Sequence, residues 1–179
     1  LAKEGHARAQ YNLGVMYANG RGVPQDDKQA AKWLRKAAEQ GEGTAQGQLG
    51  AMYMSGICVP QDDKEAVKWL RKASEQGYAE AQNNLGVMYA SGTGVNQNYI
   101  EAYKWVLLAG MNGYDVAEFK IMLKARMTPA QRKLILQTKF RPRDDLDLKA
   151  ICSWVNDIEI DPDDNDFADG RDTVSRYDN

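Results

Sequence analysis

Residues 9–17 read Ala-Gln-Tyr-Asn-Leu-Gly-Val-Met-Tyr, and the pattern Ala-Gln-x-x-Leu-Gly-x-Met-Tyr returns at residues 45–53 and 81–89, each time 36 residues further on. A second pattern, Ala-x-x-Trp-x-x-x-Ala, begins at residues 30, 66 and 102 with the same offset. A fixed period of this length is typical of repeat proteins. The sequence therefore predicts three consecutive copies of one structural unit.

Each copy reads as two α-helices. In the first copy the residues at helical spacing form one apolar face, made of Ala9, Leu13, Met16 and Tyr17, and Gly20 ends that helix. The second helix begins at Asp26, and Gln29 three residues later completes a predicted capping box. The same pairs recur as Asp62 with Glu65 and as Asn98 with Glu101.

A glycine stands in the middle of each first helix, at Gly14, Gly50 and Gly86. Glycine costs about 1 kcal/mol relative to alanine inside a helix. We therefore expect a neighbouring helix to approach closely at these three positions.

A single helical hairpin cannot bury its apolar face, but stacked hairpins build a continuous core. We predict an all-α fold: a right-handed α-solenoid of helix-turn-helix repeats with an inner groove, a C-terminal capping helix and an acidic tail. The predicted segments are 1–5 (end of a preceding repeat helix), 6–41, 42–77 and 78–113 (repeats), 114–140 (degenerate terminal repeat or cap), 141–160 (added C-terminal helix) and 161–179 (acidic, disordered tail).

These motifs resemble the Sel-1-like repeat family, a relative of the tetratricopeptide repeats. The resemblance is specific over residues 5–113 and looser over 114–140, where Met127-Thr128-Pro129-Ala130-Gln131 looks like the opening of the closing helix in bacterial members. By its own chemistry Thr128 is an N-cap with Pro129 at the first helical position. The resemblance implies an adaptor whose partner is another protein or peptide, and it implies no reaction and no cofactor.

The charge of the chain is uneven although its formal net charge is only −2. Residues 144–179 carry twelve acidic and three basic residues, a net of −9, and residues 1–143 carry a net of +7. The basic residues are scattered along helix backs without stacking aromatics, so we expect no nucleic-acid partner. The chain opens with Leu1, which we interpret as a processed or trimmed start, and the compartment and oligomeric state stay open.

Several classes of function find no support in the residues. No apolar run is long enough to span a bilayer, so we expect no membrane insertion. We find no nucleophile motif, phosphate loop or metal-ligand spacing, and therefore expect no catalytic residue, no metal site and no enzyme. His6, the single histidine, is expected on a helix surface.

Positions that differ between the copies are the better candidates for recognition, since the shared positions specify the fold. On the face of the first helices that points away from the core, these positions carry carboxamide, small polar or apolar side chains. We expect them to line the concave groove. These candidates are Tyr11, Asn12, Val15, Asn19, Gln48, Ala51, Ser55, Asn83, Asn84, Val87, Ser91, Phe119 and Leu123. An exposed helix face without a ligand is the alternative interpretation.

The third copy replaces three charged residues by apolar ones. Leu107, Leu108 and Met111 stand where the second copy has Arg71, Lys72 and Glu75. An apolar patch of this size needs covering. We expect a helix formed by residues 146–159 to cover it, and the alternative is a separate partner protein.

Two further features are left open by the sequence. Cys58 replaces the loop glycine present at Gly22 and Gly94, and it either pairs with Cys152 or stays a free thiol. The acidic stretch beginning Asp161-x-Asp163-x-Asn165 is faintly like a calcium loop, but it lacks the required glycine, so we interpret it as a solvated tail.

Two functions from different classes fit this chain. The first is an interaction scaffold that holds a segment of another protein in its groove. The alternative is an immunity-type or inhibitor protein that neutralises an enzyme or toxin by direct binding, a role that the family resemblance implies for some exported bacterial members.

Overall fold

The computed structural model describes residues 1–137, which contain eight α-helices and no strand. The predicted segments 141–160 and 161–179 lie outside the described residues, as do Cys152 and the calcium-like stretch. The helices are α1 (Ala7–Asn19), α2 (Asp27–Glu39), α3 (Gly43–Ser55), α4 (Asp63–Glu75), α5 (Ala79–Ser91), α6 (Tyr99–Met111), α7 (Ala117–Arg126) and α8 (Pro129–Gln137).

The predicted capping boxes of the second helices are only half formed. The Asp26 side chain accepts a hydrogen bond from the Gln29 backbone N–H at 2.9 Å, as predicted. The N–H of Asp26, however, donates to the Tyr17 carbonyl at 3.0 Å, so the Gln29 side chain is not its acceptor. The equivalent bonds of Asp62 and Asn98 to tyrosine carbonyls of α3 and α5 show that each second helix is fixed to the first helix of its own repeat.

The box at the start of α8 is complete. The Thr128 hydroxyl accepts from the Gln131 N–H at 3.2 Å, and the Gln131 side chain accepts from the Thr128 N–H at 2.9 Å. The sequence prediction for the opening of this closing helix is confirmed.

The close approach predicted at the mid-helix glycines is also confirmed. A Cβ on Gly50 would lie 2.7 Å from Cγ of Leu70 and 3.0 Å from its backbone nitrogen, and equivalent contacts surround Gly14 and Gly86. Leu49, Leu70 and Leu85 are fully buried in the core that runs through the repeats. Because Gly50 has no side chain, the backbones of α3 and α4 can pack directly against each other.

Contacts between successive repeats also join helices of the same type. Within residues 1–137, the first helices α3 and α5 pack directly against each other, and the second helices α6 and α8 are also in contact. The first helices therefore form one face of the stack, and that this face is the concave one stays a prediction.

The first helix of the fourth repeat, α7, departs from the period of 36. The linkers before α3 and α5 have three residues (40–42 and 76–78), whereas the linker before α7 has five (112–116). Each residue of an α-helix turns the chain by about 100°. The two extra linker residues therefore rotate the faces of α7 by roughly 200° relative to a helix that keeps the period of 36. The structural equivalent of Leu85 is consequently Leu123, and both side chains are fully buried.

Candidate protein-interaction groove

Two pockets lie on the face formed by the first helices, one between α3 and α5 and one between α5 and α7. The α3–α5 pocket has a volume of about 150 Å³, and the α5–α7 pocket is wider, at about 600 Å³. The first is lined by Thr44, Gly47, Gln48, Ala51, Tyr78, Glu80, Ala81 and Asn84. The second is lined by Asn83, Val87, Tyr114, Asp115, Ala117, Glu118, Phe119 and Met122.

The two pockets are built from equivalent positions. On the first wall, Val87 of α5 is equivalent to Ala51 of α3, 36 residues earlier. On the second wall, the longer linker before α7 makes the offset 38 residues, so Glu118 of α7 is equivalent to Glu80 of α5. Each pocket also has a tyrosine from the linker that precedes its second wall. The face formed by the first helices thus repeats one type of pocket with different side chains.

Six of the residues predicted for the groove line these pockets. They are Gln48, Ala51, Asn83, Asn84, Val87 and Phe119. Val87 is 40% exposed. That these variable positions face a partner stays a prediction.

Other predicted residues lie on the same face but outside the pockets. Tyr11 and Val15 are half-buried and pack against the core, and the Tyr11 hydroxyl accepts a hydrogen bond from Gln48 Nε2 at 3.4 Å. Asn12 and Asn19 are exposed and line neither pocket.

The two serines predicted for the groove, Ser55 and Ser91, donate hydrogen bonds to the backbone of their own helices. Ser55 Oγ donates to the Ala51 carbonyl at 2.9 Å, and Ser91 Oγ donates to the Val87 carbonyl at 3.0 Å. A hydroxyl bonded in this way has used its only hydrogen. These serines can accept from a partner but not donate to it.

The prediction for Leu123 was wrong. Leu123 is fully buried because α7 is rotated relative to the period of 36, so this side chain belongs to the core and cannot contact a partner. Ile121 and Met122 occupy the solvent-facing positions of α7 instead.

Sequence reasoning missed the tyrosines and acids of the pockets. Tyr78 and Tyr114 are 36% and 38% exposed, and Glu80 and Glu118 are exposed in the first turns of α5 and α7. One sequence signal was present: Gly43 stands where the other copies have Ala7 and Ala79. A Cβ on Gly43 would collide with the Tyr78 ring, so this glycine makes room for the tyrosine.

The glutamines of the repeated Ala-Gln pairs form a buried ladder inside the protein. Gln82 Nε2 donates to the Ser74 carbonyl at 3.0 Å, and Gln82 Oε1 accepts from Asn112 Nδ2 at 2.9 Å. Gln46 makes the equivalent bonds with the Ala38 carbonyl and Gln76. A carboxamide suits this position because it donates and accepts at once.

Comparison with known families identifies the repeat. The family model of the Sel1 repeat matches residues 7–42, 43–78 and 79–114. The chain belongs to the Sel1 repeat family. A comparison with curated protein sequences gives no match.

Solved Sel1-type structures share this fold. A protective antigen of uropathogenic Escherichia coli strains, which displays an SLR fold, is 46% identical with a TM-score of 0.61 over 63% of this chain. The match covers only 24% of that protein. A Sel1 repeat protein from Oxalobacter formigenes is 36% identical with a TM-score of 0.62, over 68% of this chain and 91% of that one.

Sel1 repeat proteins are generally scaffolds for protein interaction, and the family is typically non-enzymatic. In the described part of this member, no group of histidine, cysteine and carboxylate side chains is arranged to hold a metal ion. No helix within residues 1–137 is both long and apolar enough to cross a bilayer.

The second helices of this Sel1 protein carry cations that are already engaged by aromatic rings. Lys36 lies over the Trp33 ring at 4.8 Å, and Lys72 lies over the Trp69 ring at 4.6 Å. Arg71 stacks on the Tyr89 ring and donates to its hydroxyl.

The apolar positions of the third Sel1 repeat are half-buried. Leu107, Leu108 and Met111 all retain some exposure, and α8 packs against their helix, α6. The helix that we expect over residues 146–159 lies outside the described residues, so the predicted cover stays a prediction.

Cys58 is the one described non-glycine residue with a positive φ, at 63°, where the Sel1 repeats on either side have Gly22 and Gly94. It forms no disulfide with a described residue. Burial, together with a hydrogen bond to Asp27 and the charge of its carboxylate, raises the pKa of the thiol to about 11. The thiol therefore stays protonated at neutral pH, which disfavours a role as a nucleophile.

Proposed function

We propose that this Sel1 repeat protein is an interaction scaffold that holds an extended segment of a partner protein along its concave face, without catalysis. The observation that carries the proposal is the repetition of one pocket type between successive first helices. A segment that runs across the helices meets equivalent side chains at each repeat. Solenoid repeat proteins use their concave surfaces in this way.

Each pocket offers the two kinds of contact that an extended segment requires. Gln48 and Asn84 face the α3–α5 pocket with carboxamides that can bond the backbone of a bound chain. Val87, Phe119 and Met122 provide apolar surface in the α5–α7 pocket for its side chains. The polar groups set the orientation of the segment, and the apolar groups supply most of its affinity.

Site-specific photo-crosslinking tests this placement. A benzophenone amino acid is introduced at Gln48 or at Val87, and as a control at Lys32 or Lys68, which are exposed on second helices. Peptides selected from a random library against the full chain are then irradiated with each variant, and the products are identified by mass spectrometry.

We expect crosslinks from positions 48 and 87 and none from positions 32 and 68. Crosslinks only from the second helices contradict the proposal, as does a library that yields no binder. A second test replaces Gln48 and Asn84 by alanine together. Because each lost hydrogen bond weakens binding by about 1 kcal/mol, affinity should fall roughly tenfold or more.

A further inference from the structure

We infer that the segment held in the groove is basic as well as apolar, an inference that rests on the proposed function and gives its partner a chemistry. All the charged residues that line the two pockets are acids: Glu80 in the first, and Asp115 with Glu118 in the second. The charge of the groove is therefore opposite in sign to the net charge of residues 1–143.

Two of the three pocket carboxylates are available to a ligand, whereas Asp115 accepts the Ala117 N–H at 3.2 Å. Glu80 and Glu118 are exposed, and neither makes a hydrogen bond or ion pair with another described residue. By contrast, Glu42 on the same face accepts the Ala45 N–H and pairs with Arg8 at 3.5 Å. Each pocket thus has one exposed carboxylate without a partner among the described residues.

The position of these acids repeats with the fold. Glu80 and Glu118 occupy the same place in the first turns of α5 and α7, so each pocket has one carboxylate at an equivalent position. A bound segment that crosses both pockets meets a negative charge twice. Only a segment with at least two cationic side chains matches both charges.

The walls beside the acids suit long cationic side chains. Tyr78 lies in the same pocket as Glu80, and Tyr114 lies in the same pocket as Glu118, with both rings more than a third exposed. Lysine and arginine bury their alkyl stems against apolar surface and keep the charge at the tip, and their cations are attracted to aromatic faces. Val87 and Met122 remain to receive large apolar residues between the cations.

Charge-swapped peptides test this chemistry. The probe is a short synthetic peptide that alternates lysine with leucine and phenylalanine, and its twin has glutamate in place of lysine. Binding of both peptides to the full chain is measured by fluorescence anisotropy at low and high salt. We expect the lysine peptide to bind at least about tenfold more tightly than its twin, with a difference that shrinks as salt rises.

The Glu80→Lys/Glu118→Lys variant is expected to reverse this preference. The matched control is Glu39→Lys/Glu75→Lys, which makes the same change of net charge on exposed second-helix positions and should leave the preference as it is. Circular dichroism and thermal melting verify that both variants are folded. An unchanged preference in the groove variant, or a reversal in the control, overturns the inference.

The outcome separates this inference from the proposed function. If library peptides crosslink at positions 48 and 87 but are neutral or acidic, the proposed binding groove is supported and the inference of a basic segment is overturned. If the lysine peptide binds but crosslinks only from positions 32 and 68, the groove itself is overturned.

Discussion

The contact between α4 and α5 and the contact between α6 and α7 occupy equivalent places in the solenoid but are made differently. Between α4 and α5, Gln82 bonds the Ser74 carbonyl, and Arg71 bonds the hydroxyl of Tyr89. Both interactions are directional, and both recur one repeat earlier with Gln46 and with Arg35 and Tyr53.

At the α6–α7 contact the same positions carry different chemistry. Leu107 stands in the place of Arg71, and on the rotated helix Lys120 and Met127 stand in the places of Gln82 and Tyr89. Both members of the arginine–tyrosine pair are therefore replaced together by apolar residues. Apolar packing has no preferred hydrogen-bond geometry, which is compatible with the two extra linker residues before α7.

The largest expected effect comes from removing the buried carboxamide of Gln82, which is 2% exposed. In Gln82→Leu the carbonyl of the buried residue Ser74 loses its donor, and the amide of the exposed residue Asn112 loses its acceptor. We expect the free energy of unfolding in urea to fall by about 3 kcal/mol. Asn84→Leu, two residues along the same helix, should change it by less than about 0.5 kcal/mol, and equal losses in the two variants would contradict the role of the ladder.

A methyl group at Gly50 tests the close approach of the regular repeats. In Gly50→Ala the new Cβ would lie 2.7 Å from Leu70 Cγ, and we expect a loss of about 2 kcal/mol despite the better helix propensity of alanine. Gly47→Ala in the same helix is the control, since its Cβ would have no neighbour closer than 3.7 Å. That variant should gain up to about 1 kcal/mol in thermal or urea unfolding, and a gain at both glycines would disprove the tight packing.

Two substitutions give the α4–α5 contact the same apolar residue types that the α6–α7 contact has at the equivalent positions. Arg71→Leu should cost about 1 kcal/mol of unfolding free energy because it leaves the Tyr89 hydroxyl without its donor. Adding Tyr89→Met should recover part of this loss, since the two positions then match the pair Leu107 and Met127. A double-mutant cycle measures the coupling, and an additive result would show that the two replacements are independent.

The smallest expected effect is at Cys58, which interrupts the regular part of the chain. Cys58→Gly removes a Cβ from a positive-φ position and should stabilise the protein by about 0.5–1 kcal/mol. Cys58→Ala keeps the Cβ and should not. A gain of the same size from alanine would show that the strain lies elsewhere.

The same thiol gives a pH-dependent signal. Because its pKa is raised to about 11, the alkylation rate of Cys58 in a Cys152→Ser background should rise with a midpoint near pH 11 rather than 9. The folded state holds this proton more tightly than the unfolded state, so the associated stability is complete below pH 9 and is lost as the pH rises toward 11. Asp27→Asn should lower the midpoint only in part, since burial is the larger cause.

The repeat pattern was enough to predict the helices, because each helix start and stop depends on residues close together in the sequence. Asp26, Asp62 and Asn98 cap the second helices as predicted, and Gly20 ends α1 with a left-handed conformation. The second half of the capping box failed because the tyrosine carbonyl of the first helix, a contact made only in the folded hairpin, competes for the same N–H.

The pocket walls follow the sequence period most directly where the period of 36 is kept. Gln48, Asn84 and Val87 line the pockets because their helices follow the same phase, and their contact with a partner stays a prediction. Leu123 failed because two residues inserted before α7 change the phase of everything after them, and nothing in a single sequence fixes where a helix restarts after an irregular linker.

The sequence by itself determined the all-α architecture, the number of regular Sel1 repeats and the glycines at which helices touch, since periodicity and local propensity are properties of the chain. Only the tertiary structure decided the rotation of α7, the inward turn of the shared glutamines and the pairing of each pocket with a tyrosine and an acid. These features depend on which surfaces meet when neighbouring repeats stack, and that is set by packing between residues that are far apart in the sequence.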